Sequence, residues 1–434
     1  MSELSTKVDD LLRRYGMEPE RVDVDQCAHA FQRDMELGLK GDCAAHMMML
    51  PTYLTATGEL PLDESVVVVD AGGTNFRVAL VTMRESGPQV EDLAVSPMPG
   101  SRGPISKEAF VDQVTDQLLP LVRKSRRVGL CFSYAAEILP NRDGKVVSIS
   151  KQVQITGSTG MLLGEEFSAA LDAKGVPGVV FTVLNDTVAA LLGGVADTRD
   201  ENFDGYVGLI YGTGVNTCYA ERSENVTKLE TAWEHPDMLI NMEAGSFADV
   251  LQGESDKLLD EASVDAGKCH YEKMISGRYL GEVMYHTLRF AAKDGLFSAK
   301  MADGLMKLTE LTTAEADAFC ARPYGSGVLA LMCDTEDDRE TAYLILDRCV
   351  ERAARLVCGN LGGILLQTGW GKHRHRPACI VAEGSTFYKG QLFKGKLERI
   401  AAEYITGTLG RYFVFRRTED ANLIGTAAAA LLSK

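Results

Sequence analysis

The chain has 434 residues, 45% of them hydrophobic and 24% charged, with a formal net charge of −16. Such a length and composition suit a soluble globular protein of two or three lobes rather than a small binding module. The acidic balance argues against nucleic acid or an anionic membrane surface as the main partner. Ten cysteines without a C-x-x-C pair, and a polar first thirty residues lacking a hydrophobic signal core, lead us to expect reduced thiols and a cytoplasmic location. The longest apolar runs, around Val66 and at Ala427 to Leu432, are too short to span a bilayer.

In chain order, residues 1 to about 60 read as helical. Ser5 can cap a helix carrying Val8, Leu11 and Leu12, and Ala28, Phe31 and Met35 recur at helical spacing. Strands then dominate from Val66 to Met83. The run Val66 to Val69 leads into Asp70, Ala71, Gly72, Gly73, Thr74, Asn75, Phe76 and Arg77, an apolar strand that ends in an acid and a glycine turn. Glycines let backbone N–H groups approach an anion, and Thr74 and Asn75 add side-chain donors. Asp70 can orient a hydrated Mg²⁺ beside the same phosphates. Taken alone, the stretch reads first as an ordinary hairpin with polar residues at its tip, and Arg77 can as well pair with an acid to brace it.

A helix is expected over Lys107 to Val122, strands at Val128 to Phe132 and Val146 to Ile149, a helix over Leu162 to Leu171, and a strand over Val179 to Leu184. Asn185, Asp186 and Thr187 follow, placing a carboxylate where a buried strand meets a helix start; that position suits a general base and equally a plain helix N-cap. The pattern restarts near 200 to 205: the strand Tyr206 to Ile210, the turn Gly212, Thr213, Gly214, Val215, Asn216, and the strand Thr217 to Glu221. Two strand, phosphate-turn, strand units indicate an internally duplicated nucleotide-binding architecture with a cleft for a ligand. Residues 267 to about 369 read as mainly helical, with a loop over Cys333 to Thr341. The basic stretch Gly371 to Pro377 reads as a solvated loop, since two histidines make a poor metal site. Thr418 to Gly425 reads as a loop feeding the small-residue helix Thr426 to Leu432.

Several ordered segments together resemble one family. Asp70 to Arg77 and Gly208 to Glu221 are similar to the two phosphate motifs of the eukaryotic-type hexokinases, which include glucokinase. Leu184 to Val188, Asn241 to Phe247, Tyr271 to Glu282, Arg352 to Ala354 and Thr418 to Ala427 resemble further family segments in the family's order. The resemblance implies an α/β, two-lobed actin-like ATPase (ribonuclease H-like) fold, internally duplicated, with an interdomain cleft. It implies a helical segment at 1–61, a small domain at 62–203, a large domain at 204–417 and a helix at 418–434 returning to the small domain.

The same resemblance implies transfer of the γ-phosphoryl group of ATP, with Mg²⁺, to the 6-hydroxyl of a hexose, glucose first and fructose or mannose after it. Asp186 then accepts the hydroxyl proton, and Lys151 stabilises charge near sugar and transferring phosphoryl. Ser133, Ser150, Lys151, Asn185, Asp186, Asn216, Glu243 and Glu272 are implied around the sugar. Asp70, Gly72, Gly73, Thr74, Asn75, Arg77, Thr213, Gly214, Gly384 and Ser385 are implied around the nucleotide, with no direct metal ligand and Mg²⁺ held through phosphates and water near Asp70 and Asp186.

The chain departs from the family most in two sugar-side segments. Tyr134 and Ala135 stand for a Phe-Pro pair, and Ile149, Gln152 and Val153 stand for Trp, Gly and Phe; Cys269 stands where a polar amide is common. These changes bear on which hexose is preferred. Two other functions share the same fold: a kinase of another sugar such as a hexosamine or ketose, and a sugar sensor without turnover. Expected partners are a hexose and ATP, with no nucleic acid and no membrane, in a monomer or homodimer.

Overall fold

A computed structural model describes residues 3–56, 58, 60–72, 75–149, 153–229, 231 and 233–432. Of the implied site residues, Gly73, Thr74, Ser150 and Lys151 lie outside the described residues.

Two sheets share one plan. The first contains β1 (Ser65–Ala71), β2 (Asn75–Arg84), β3 (Gly87–Pro97), β4 (Arg127–Phe132) and β5 (Val180–Leu184) in the order β5-β4-β1-β2-β3. The second contains β6 (Gly205–Tyr211), β7 (Val215–Arg222), β8 (Asp237–Asn241), β9 (Ala378–Glu383) and β10 (Phe413–Arg416) in the order β10-β9-β6-β7-β8. In each, three strands form an antiparallel meander and two more add in parallel beside the first strand. The short strand Leu50–Pro51 extends the second sheet beyond β8. The duplication expected from the two glycine turns is therefore carried by strand order and direction as well. β1 is apolar at nearly every position because it is covered on both faces, whereas β3, at an edge, is exposed along most of its length.

The helices used below are α1 (Glu3–Arg14), α2 (Val24–Lys40), α3 (Lys107–Val122), α4 (Leu163–Ala173), α5 (Asp186–Asp197), α6 (His270–Ile275), α7 (Glu336–Thr368) and α8 (Ala421–Leu432). Residues of α1 and α2, including Leu11, Leu12, Phe31 and Met35, share one core with the second sheet and with α7. The backbones of α2 and α7 approach closely at Gly359 and Gly363, where an added Cβ would meet the Cys27 sulfur at 2.5 Å and the Phe31 Cβ at 2.7 Å. The first sheet packs Val67, Val69 and Leu130 against Phe110 of α3 and Phe167 of α4.

A third core lies between the sheets. Val66, Val68 and Leu184 from the first half meet Cys218 and Leu239 from the second, and the space between is filled by Val188 and Leu191 of α5 and Leu423 and Ala427 of α8. The helix that ends the first half lies on β6 and β7 of the second, and the helix that ends the second half lies on β4 and β1 of the first. This exchange ties the two halves together and places the start of α5 at the boundary between them.

Several boundaries differ from those expected. Ser5 lies inside α1 instead of capping it, since the helix already begins at Glu3. The described residues between 41 and 64 are not helical; Gly41 ends α2 in a left-handed conformation (φ 73°), and Leu50–Pro51 then runs along the edge of the second sheet. The loop before α7 stops at Thr335, whose hydroxyl caps the helix through Asp338 N, so α7 starts earlier than the polar composition of 333–341 suggests. α8 starts at Ala421, not Thr426.

Candidate active site

The first hairpin sets Asp70 directly opposite Arg77 in the β1–β2 register. That pairing lets the Arg77 guanidinium hold Asp70 Oδ2 with two N–H donors, Nε at 2.9 Å, while another Arg77 nitrogen stands 3.7 Å from Asp420 Oδ1 ahead of α8. Arg77 thus braces the hairpin and reaches the loop that leads into α8, the alternative its sequence position left open. Asp70 Oδ1 is buried without a nitrogen or oxygen donor; the weak Cys131 thiol lies beside the carboxylate. The turn itself is closed by Gly72 N donating to Asn75 O at 3.1 Å, and Asn75 is exposed.

The second hairpin repeats the geometry with other side chains. Gly212 N donates to Gly214 O at 2.9 Å, and Ile210 and Asn216 stand opposite each other where Asp70 and Arg77 stand in the first. The turn is fastened from outside: Gly277 N and the Thr386 hydroxyl donate to Gly212 O at 2.8 and 3.0 Å, and Arg278 N donates to Thr213 O at 3.1 Å. Thr213 and Ser385 line the same pocket of about 440 Å³, whose walls include Leu280, Met284, Ala316 and Phe393. Gly384, with φ 117°, precedes Ser385 at a point where a side chain would run into the Tyr211 carbonyl.

Asn185 resolves the question of the cap. Its Oδ1 accepts from Thr187 N at 2.9 Å and so caps α5, which makes the half-buried Asp186 a first-turn residue and not the cap itself. Asp186 lines a second cleft of about 530 Å³ together with Arg77, Glu383, Gly384, Thr418 and Asp420. Burial and then the nearby Asp70 charge push its carboxyl above the usual aspartate range, against hydrogen bonds from the Ser133 hydroxyl and from the amide and hydroxyl of Thr187.

Three polar side chains of the second half converge beside it. Asn216 Nδ2 donates to Asn241 Oδ1 at 2.7 Å, Asn241 Nδ2 donates to Glu243 Oε1 at 2.7 Å, and Asn216 Oδ1 accepts from the amides of Thr217 and Ala244. Glu243 lies just past β8 with φ 55°, a left-handed conformation unusual for glutamate. Glu272, in the first turn of α6, accepts from Val215 N at 3.1 Å. Burial raises both glutamates above their ordinary range, and Glu243 also feels the charges of Asp186 and Glu272. Gly214 serves this arrangement too, because a Cβ there would stand 2.9 Å from Glu272 Oε2.

The structure thus gathers Ser133, Asn185, Asp186, Asn216, Glu243 and Glu272 in one region, with Arg77 and Gly384 lining the adjoining cleft, Asp70 and Gly72 in the first hairpin behind Arg77, and Thr213 and Ser385 in the apolar pocket beyond. Reasoning from residues assigned no role to Asn241, whose amide joins Asn216 to Glu243. Its only signal was a polar side chain directly after the apolar run Met238 to Ile240. Asp420 and Glu383, which line the cleft beside Asp186, were also given no role. Among the described residues no cluster of three or more His, Cys, Asp or Glu side chains is placed to hold a metal directly.

A duplicated two-lobed α/β fold with paired glycine hairpins, a carboxylate at a helix start and a cluster of amide and carboxylate side chains beside it defines a sugar kinase of the actin-like ATPase type. Two family models, both described as hexokinase, match residues 7–195 and 206–432, and the chain belongs to the hexokinase family. It is 27% identical over 441 residues to Hexokinase-1 of Nicotiana tabacum, covering 93% of this chain and 86% of that protein. It is 32% identical over 351 residues to Hexokinase-3 of Mus musculus, covering 74% of this chain and 36% of that longer protein. The fold matches a solved hexokinase from Schistosoma mansoni complexed with glucose, with a TM-score of 0.78, 23% identity and 99% of each chain covered. The chain is accordingly an enzyme that phosphorylates a hexose.

Proposed function

We propose that the phosphoryl donor is ATP, that the acceptor is the 6-hydroxyl of a hexose, glucose first, and that Asp186 is the general base. The observation that carries this reading is the carboxylate of Asp186, one residue past the Asn185 cap, between Asp70 and the Glu243 end of the Asn216–Asn241–Glu243 chain.

Asn185, Asn216, Glu243 and Glu272 each offer two polar atoms, so each can hold a pair of neighbouring sugar hydroxyls and fix the ring. Held that way, the reacting hydroxyl donates its hydrogen bond to Asp186, which takes the proton as the oxygen attacks the terminal phosphorus. The Ser133 hydroxyl, bonded to Asp186, keeps the carboxylate oriented. Lys151 and Ser150 keep their proposed places at the sugar, and Gly73 and Thr74 theirs at the phosphates. The pocket walled by Leu280, Met284 and Phe393 suits an adenosine, with Thr213 and Ser385 at its mouth.

The residues fit a hydrated Mg²⁺. Asp70 presents one buried oxygen without a donor, suited to accept from a metal-bound water, and Arg77 fixes the other. When bound, the cation offsets phosphate charge that an acidic protein would otherwise repel. We propose the lobes as 62–203 and 204–417, with residues 1–61 on the larger lobe and 418–434 returning to the smaller.

ADP release by the purified chain, measured across glucose, fructose, mannose and glucosamine and across several nucleotide donors, tests the proposal. Turnover with ATP and a hexose, lost in Asp186→Ala, is the expected result. Sugar binding without turnover by any donor would sink it and leave a sensor.

A further inference from the structure

The dipeptide Ser133–Tyr134 leaves β4 at its C-terminal end and touches both halves of the reaction. Ser133 N donates to Ala71 O at 3.2 Å, and the Ser133 hydroxyl bonds Asp186. The next side chain turns the other way: the Tyr134 hydroxyl donates to Gly72 O at 2.9 Å, 62 residues back along the chain in the first phosphate turn. The ring is buried and packs on Phe132 with centroids 5.1 Å apart, which leaves the phenol little freedom to swing elsewhere.

Gly72 therefore has both backbone polar groups occupied by protein, its N–H by Asn75 O and its C=O by Tyr134. A carbonyl oxygen carries partial negative charge, and one turned toward a polyphosphate would repel it. A glycine has no side chain to hold its peptide planes, so without a donor its carbonyl is free to turn that way. In the resembled family the corresponding position is a phenylalanine, which packs but cannot donate.

We infer that Tyr134 is a positioning residue of this chain, whose hydroxyl holds the Gly72 carbonyl away from the donor phosphates and locks the first phosphate turn to the strand end that carries Ser133. The inference deepens the proposed phosphoryl transfer and rests on that reading for which ligand the turn receives. It separates Ser133, which acts on the base and the sugar side, from Tyr134, which acts on the nucleotide side.

Tyr134→Phe removes one oxygen and keeps the ring. Initial rates with Mg-ATP and glucose, together with an ADP titration of the glucose-saturated protein, read its effect. Losing one neutral hydrogen bond corresponds to about a 5-fold change, so half-saturating Mg-ATP and the ADP dissociation constant should each rise about 5-fold. Half-saturating glucose should stay within about 2-fold of its original value. An unchanged ADP affinity, or an equal loss for glucose and nucleotide, would overturn the inference. If the unaltered protein shows no turnover, the transfer proposal fails on its own, while the ADP titration still reads Tyr134. A melting temperature within a few degrees of the original excludes general loosening, and Tyr134→Leu, which removes the ring as well, should lower that temperature where Tyr134→Phe does not.

Discussion

At the scale of single residues, the site holds carboxylates in surroundings that disfavour their charge. Burial is the largest cause for Asp186, Glu243 and Glu272, and Asp70 adds to it at Asp186. Their folded pKa values lie above the unfolded ones, so their contribution to stability is fully present below the unfolded pKa and is lost as pH rises through the folded value. At neutral pH the empty site is therefore a stability cost accepted for function. Asp186→Asn should remove part of that cost and raise the melting temperature of the sugar-free protein at pH 7, with the difference shrinking as the pH is lowered toward 4. Turnover should fall by at least about 10²-fold, the lower range for loss of a general base, while sugar affinity stays within a few-fold. A lower melting temperature at pH 7 would show that the carboxylate stabilises the empty site. As the proposed base, Asp186 works only when ionised, so the acid limb of the rate profile of the unaltered enzyme should turn above the ordinary aspartate pKa of about 3.9. A limb at or below that value would contradict the burial seen at Asp186.

At the scale of elements, the exchange of α5 and α8 decides where Asp186 stands. The two helices cross where Gly425 of α8 meets Ala189 and Gly193 of α5, and where Gly193 in turn meets Ala421. A Cβ on Gly425 would overlap the Ala189 carbonyl and come within 2.6 Å of Gly193 N, both of them backbone atoms that cannot swing aside. Gly425→Ala should thus destabilise the protein by roughly 1–3 kcal/mol through overpacking, against the propensity gain that alanine brings to an isolated helix. Denaturant midpoints and turnover together check this, because pushing α5 away also displaces the carboxylate in its first turn. An unchanged midpoint would show that the crossing has slack. The element scale is also where the sequence was most and least readable. β1, β4 and β6 announced themselves as apolar runs, and α3 as a periodic segment with its observed ends. β3 passed unnoticed, since an exposed edge strand carries no alternation to read. The start of α8 was placed late because the strongest signal, the alanine run, begins a turn and a half after the helix does.

At the scale of the whole molecule, the duplication was legible because each half spends glycine at the same point of the same strand order. What composition could not show is how the copies diverged: the Asp70–Arg77 pair of the first hairpin becomes Ile210 and Asn216 in the second. The first copy keeps a charged pair there, while the second sets an aliphatic side chain opposite an amide that bonds Asn241. Links such as Asn216 to Asn241 and Tyr134 to Gly72 depend on strand register and on approach between distant segments, so no local pattern announces them. The divergence bears on motion. Without sugar, Glu243 feels the charges of both Asp186 and Glu272, and like charges of this kind resist approach. On the proposed reading sugar hydroxyls add donors to these carboxylates from both sides at once, so binding should favour an arrangement in which the halves draw together around the sugar. X-ray scattering at saturating glucose should then give a smaller radius of gyration than the sugar-free protein. Glu243→Gln, which removes one charge, should relieve part of the repulsion, making the sugar-free particle itself more compact and the sugar-induced change smaller. If the radius is the same with and without sugar in the unaltered protein, the two halves are a rigid frame and the repulsion is absorbed within the site.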